Sequence, residues 1–195
     1  MRYVPLESLP LFEAAIAAEI MDGTWAQRRD ALAVALGLHG LRVGEITRAK
    51  RADLHVPERR LQIASFKRGR ARDVPIHSSL VTALLDWRKD SRLPWLLFTR
   101  SGGPVHRTHL ERAAQKLFVR VLGESLKFHS LRHTFAMRLY AEKPDVFLVQ
   151  RMLGHHSVKS TEVYAASLAE VPEACLVRIA SEKTAEPPKL KLFVG

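Results

Sequence analysis

Three short stretches of this chain hold the side chains best suited to do chemistry. "GLRVGE" places Arg42 one helical turn ahead of Glu45, and "FHSLRHTFA" places His129 and Arg132 at i, i+3 on one helical face. "LGHHSVKSTEVYA" carries His155 and, nine residues further on, Tyr164. A planar guanidinium holds a phosphate oxyanion through two parallel hydrogen bonds, so a pair of arginines suits a reaction in which charge builds on non-bridging phosphate oxygens. A phenol has a pKa of about 10 and is protonated at neutral pH, so attack by Tyr164 needs a proton acceptor or strongly cationic surroundings. Each stretch alone says little. An isolated His-x-x-Arg is more often a surface pair, and Leu-Gly-His is more often a helix stop before a polar loop. The informative observation is their order, with Lys67 of "SFKRGRA" between the first and the second.

Composition points the same way. The 195 residues carry a formal net charge of +11, and the pI is near 10.3, which favours a polyanionic partner, nucleic acid before an anionic membrane. Arg42 to Arg72 holds ten Lys or Arg against Glu45, Asp53 and Glu58, which makes this stretch +7. A hydrophobic content of 47% supports a packed core. The single Cys175 excludes an internal disulfide framework and a cysteine zinc site, in keeping with a reducing cytoplasm. "LPLFEAAIAAEIMD" is interrupted by Glu13 and Glu19, so it reads neither as a signal-peptide core nor as a span of about 20 apolar residues. Walker-type and dinucleotide-binding glycine loops are absent from the sequence. His129 and His133 have helical zinc spacing, but no glutamate follows His129, so His133 reads as a structural helix residue; His155-His156 is not ligand spacing either.

These side chains need elements to position them. Leu11, Ala15, Ala18 and Ile16, Ile20 recur at helical spacing behind Ser8 and Pro10, as do Ala31, Val34, Ala35 and Leu38 after Thr24, which predicts two core helices. Gly37 and Gly40 then loosen the chain before a short helix from Val43 to Ala49, with Arg42 at its entrance. "DLHV", "LQIA" and "RDVPI" predict a three-stranded antiparallel sheet with Lys67 in its second turn. Further helices are expected from Ser79 to Trp87, from a Thr108/Glu111 capping box to about Leu122, from about Ser130 to Ala141, and from Asp145 to Leu153 with Gly154 as the stop. Two more are expected at Ser157 to Ala166 and Leu168 to Ser181, ahead of a tail that ends in the alternating "KLKLFV".

As a set, and over nearly the whole chain from about Leu6 to Cys175, these motifs resemble the tyrosine recombinases, the phage integrase family. The resemblance implies an α+β fold: a mainly α-helical catalytic domain with a small three-stranded antiparallel β-sheet. It matches Arg42 to the first arginine, Lys67 to the hairpin lysine, His129 and Arg132 to the His-x-x-Arg box, His155 to the second histidine and Tyr164 to the nucleophile. It implies a site-specific enzyme that cleaves and rejoins double-stranded DNA through a 3′-phosphotyrosyl intermediate, as a tetramer on DNA. In that chemistry Arg42 and Arg132 would clamp the phosphate, each worth roughly 3–4 kcal/mol of transition-state stabilisation. His129 would accept the phenol's proton and Lys67 would protonate the leaving 5′ oxygen, with Arg68, Arg70 and Arg72 as alternatives or phosphate contacts. His155 would hydrogen-bond a non-bridging oxygen, and Glu45 would orient the Arg42 and His129 region. Fixed cations remove the need for a metal ion, and neither a metal nor any other cofactor is expected. Residues 1–181 are expected to be the catalytic domain, with no core-binding domain in this chain, and 182–195 a tail that docks in trans. A type IB topoisomerase would use nearly the same residues, and a DNA-binding accessory protein that no longer cuts is the alternative from a different class. The recombinase-like boxes favour recombination over the first, and the intact residue set argues against the second.

Overall fold

A computed structural model describes residues 2–64, 71–89, 91–143, 145–154 and Leu176. A 3-10 turn at Leu6–Ser8 leads into α1 (Leu9–Asp22), with Pro10 in the first turn, where its missing N–H costs nothing. Leu9, Phe12, Ile16 and Ile20 face the core, whereas Leu11 and Ala18 face solvent. The inward stripe is therefore set by Phe12, and of the expected positions only Ile16 and Ile20 are buried. Thr24 caps α2 (Trp25–Gly37) in a reciprocal box with Gln27: its hydroxyl accepts the Gln27 N–H, and the Gln27 side chain accepts the Thr24 N–H. From Ala31 to Gly37 every residue of α2 is buried, because this helix runs through the middle of the molecule and packs against α1 and four helices that follow it.

Those are α3 (Val43–Ile46), α4 (Ser78–Trp87), α5 (Arg107–Leu122) and α6 (His129–Glu142). α3 is shorter than expected, a single turn, and Arg42 is its N-cap. α5 is capped two residues earlier than expected: His106 occupies the N-cap, the Thr108 hydroxyl bonds the His106 ring, and Glu111 pairs with Arg107 at i, i+4. The Thr108/Glu111 capping box is thus replaced by a helix that begins upstream of it. α7 (Val146–Leu153) begins under Asp145, whose carboxylate accepts the Leu148 N–H, and stops at Gly154, which takes the left-handed φ of 64°.

The sheet runs in the order β1 (Leu54–His55), β2 (Arg60–Ile63), β3 (Arg72–Pro75), antiparallel throughout. Leu61 pairs with Val74 and Ile63 with Arg72, so Arg72 lies two residues from buried Val74 and shares its inward face. The main core joins α1 to α5, the sheet and the start of α6, with Phe12 stacked on Phe118 at 5.1 Å. A second, smaller cluster (Phe135, Leu139, Leu148, Met152 and Leu153) seals α7 onto the outer half of α6. Apart from Leu176, the helices expected at 157–166 and 168–181 and the tail lie outside the described residues.

Candidate active site

One carboxylate organises the basic side chains. Glu45 sits on α3 with its side chain 9% exposed, and each of its oxygens accepts two hydrogen bonds. Oε2 takes the Arg42 backbone N–H at 2.8 Å and Arg72 Nη2 at 2.9 Å; Oε1 takes Arg42 Nη1 at 3.0 Å and Arg72 Nη1 at 2.9 Å. A carboxylate offers about four lone-pair positions, and Arg42 and Arg72 fill them. Burial works to raise the Glu45 pKa, but the Arg72 hydrogen bonds and charge, the Arg42 N–H and the charge of Arg132 outweigh it and hold the pKa at about 2, against an ordinary 4.5. Arg42 is therefore oriented from behind while its side chain stays 36% exposed. Arg72, expected as a phosphate contact, is placed differently: its side chain is 7% exposed, its fork grips Glu45, and its Nε donates to the Met152 carbonyl at 3.1 Å.

Arg132 enters from the first turn of α6 and is the largest fully buried side chain among the described residues, at 1% exposure. Nη1 donates to the Gly40 carbonyl at 2.7 Å and Nη2 to the Leu153 carbonyl, so one guanidinium bridges the loop before Arg42 and the end of α7. Its Nε is buried and has no acceptor among the described residues. Burial, then the charges of Arg42 and Arg72, lower the Arg132 pKa to about 9 against the help of Glu45, and the group remains a cation at neutral pH. Gly40 makes the bridge feasible: it adopts φ 86°, and a Cβ there would lie 2.8 Å from Phe135 Cδ1.

His129 is the first residue of α6, and its ring meets His133 edge-on with centroids 4.5 Å apart. Burial, then nearby Arg132, pushes the His133 pKa down, which suits a neutral helix residue. The structure thus brings Arg42, Glu45, Arg72 and Arg132 into one cluster, with His129 one helical turn before Arg132. Lys67, Arg68, Arg70, His155 and Tyr164 lie outside the described residues, and Gly154, which is described, immediately precedes His155. Sequence reading missed the part played by Arg72. The signal was present in "RDVPI", where strand alternation puts Arg72 on the buried face with Val74.

The fold is a helical domain with a small antiparallel sheet, and it gathers three arginines around Glu45 where α3, β3 and α6 meet. The model of the phage integrase family matches residues 13–170, and the chain belongs to that family. It is 36% identical over 151 residues to tyrosine recombinase XerC of Chromohalobacter salexigens, covering 73% of this chain and 50% of the relative. It is also 31% identical over 140 residues to tyrosine recombinase XerA of Pyrococcus furiosus, covering 67% and 47%. The chain therefore spans about half the length of these curated relatives. Among solved structures, a crystal structure of XerA recombinase superposes with a TM-score of 0.69 at 24% identity, over 80% of this chain and 57% of that one. A lambda integrase tetramer bound to a Holliday junction gives a TM-score of 0.58 at 20% identity, over 83% and 49%. At these identities the structural likeness establishes the shared fold.

Proposed function

We propose that this chain is the catalytic part of a site-specific DNA recombinase that cuts and rejoins strands through Tyr164. The observation that carries the reading is surplus fixed cationic charge: the guanidiniums of Arg42, Arg72 and Arg132 surround the one carboxylate of Glu45. Such a cluster is stabilised by an added anion, and a phosphodiester passing through an in-line displacement gathers more negative charge there. In this reading the Tyr164 oxygen bonds to phosphorus, the bond to the 5′ oxygen breaks, and the strand's 3′ phosphate remains on the enzyme. The phenol's proton passes to His129, and the leaving oxygen takes a proton from Lys67. Arg42, Arg132 and His155 hold the non-bridging oxygens, and Arg68 and Arg70 contact flanking phosphates. Attack by another strand's 5′ hydroxyl reverses the sequence and reseals the DNA without ATP or a metal ion. Residues 1–181 form the catalytic domain in this proposal. The tail 182–195 docks on a neighbouring subunit of a cytoplasmic protein that works as a tetramer, the assembly named for the lambda integrase relative.

A pool of nicked duplexes of varied sequence tests the reading, because a nick lets the short cleaved fragment diffuse away and traps the adduct. The expected result is a protein–DNA species that survives denaturation, forms equally well with chelator present, and is lost in Tyr164→Phe. An adduct that persists in Tyr164→Phe refutes the nucleophile. Binding to the duplexes without any adduct points to an accessory protein, and relaxation of supercoiled DNA without strand exchange to a topoisomerase.

A further inference from the structure

We propose that Arg72 is a positioning residue that ties three separate parts of the site together through one guanidinium. The inference rests on the recombinase reading and adds to it a role for a residue that does not touch DNA. Its fork holds both oxygens of Glu45, which in turn hold the backbone and side chain of Arg42. Its Nε holds the Met152 carbonyl, one of the last carbonyls of α7, which have no partner within their own helix. Arg132 takes the next carbonyl, that of Leu153, so two arginines from different elements grip the end of the same helix. The aliphatic part of Arg72 closes the arrangement: a Cβ on Gly154 would lie 3.0 Å from Arg72 Cδ, so the turn leading to His155 runs directly against this side chain. Five residues before Arg72 is Lys67 and one residue after Gly154 is His155. Arg72 thereby fixes the base of the lysine hairpin, the Arg42 segment and the exit of α7 relative to one another.

The chemistry requires arginine here. Three fixed donors diverge from one plane, two to a carboxylate and one to a carbonyl, and an ammonium on a flexible stem cannot reproduce them. The groups that face Glu45 are Arg42 on its own segment, Arg72 from β3 and Arg132 from α6. Without the Arg72 fork, burial is opposed by fewer partners, and Glu45 stays ionised only at higher pH.

The test measures adduct formation on a nicked duplex selected from the pool, in single turnover at saturating DNA, together with DNA affinity by fluorescence anisotropy. Arg72→Lys should slow the rate about 100-fold, the scale of a displacement near 1 Å in the reacting groups, with affinity nearly unchanged. Arg72→Gln should in addition move the acid limb of the rate profile towards higher pH. Side-chain NMR of the unaltered protein supplies a measurement that no folding defect can blur. The Arg72 Nε–H should resist solvent exchange and hold its position when the duplex is added, while the Arg42 and Arg132 signals move. Full activity in Arg72→Lys, a parallel loss of affinity and rate, or an Arg72 signal that moves with the duplex would each overturn the positioning role and leave the recombinase reading intact. Failure of the unaltered chain to form any adduct would remove the reading, and this role with it.

Discussion

Replacing Glu45 with glutamine keeps the shape of the side chain and removes the charge around which Arg42, Arg72 and Arg132 are gathered. The carboxylate's pKa is held at about 2, against an ordinary 4.5, and that gap corresponds to about 3 kcal/mol of stability at neutral pH. Glutamine also turns an NH2 group towards a guanidinium and leaves buried cations without their counter-charge, so the loss should reach at least this size. The direction with pH follows from the depressed pKa. Ionised Glu45 contributes in full above the pH at which the unfolded chain's carboxylate titrates, and the contribution fades as pH falls from about 5 towards about 2. Urea unfolding of both proteins, followed by tryptophan fluorescence at pH 7, 5, 4 and 3, should therefore show a gap of about 3 kcal/mol that narrows steadily with acid. A gap below about 1 kcal/mol at pH 7, or one indifferent to pH across that window, would refute the account of the cluster.

Three other outcomes are expected. Lys67→Ala should cleave poorly on ordinary DNA and recover on a 5′-bridging phosphorothioate, whose sulfur leaves without protonation, whereas Arg132→Ala should not recover; a failure of rescue would give the acid role to another group. Gly40→Ala sets a side chain at φ 86° and drives its Cβ to 2.8 Å from Phe135 Cδ1, so chemical denaturation should show a loss of about 2 kcal/mol. Deleting the chain from Lys189 onward should weaken assembly on DNA, as read by gel shift, and leave the melting temperature nearly unchanged; intact assembly would sink the docking proposal.

How far the sequence spoke for the structure depended on whether the signal was local. The sheet was legible because short β-type runs alternate between turn residues, and α7 was legible because Asp145 and Gly154 punctuate it at both ends. The inward face of α1 was misread because "LPLFEAAIAAEI" is apolar almost all round, which blurs the 3.6-residue period, and Phe12 is what commits the helix to one face. The capping box at Thr108 had the right residues in the right spacing, but the chain turns helical earlier, at Arg107, and satisfies Thr108 and Glu111 otherwise. Arg42 was visible as a helix entrance. The grip of Arg72 on Glu45 was not, because the two are 27 positions apart: strand alternation turns Arg72 inward with Val74, but only the packed fold brings it to Glu45. Arg132 carried the same difficulty: its spacing from His129 was plain, but its two carbonyl acceptors belong to Gly40 and Leu153, which only the packed fold brings to it.

The second hydrophobic cluster has a consequence for motion. Phe135, Leu139, Leu148, Met152 and Leu153 form a packing unit of their own, joined to the larger core through α6 and anchored by two arginine grips on the last turn of α7. Small units of this kind open at lower free energy than the core they lean on. The amides of α7 should then exchange with solvent through partial opening, while those of α2 exchange only on global unfolding. Each such opening frees the Met152 and Leu153 carbonyls and releases Arg72 and Arg132 together. The lifetime of the arginine cluster is thus set by a patch of aliphatic and aromatic packing that carries no charge, and shaving Leu148 should disturb the site as surely as altering a residue within it.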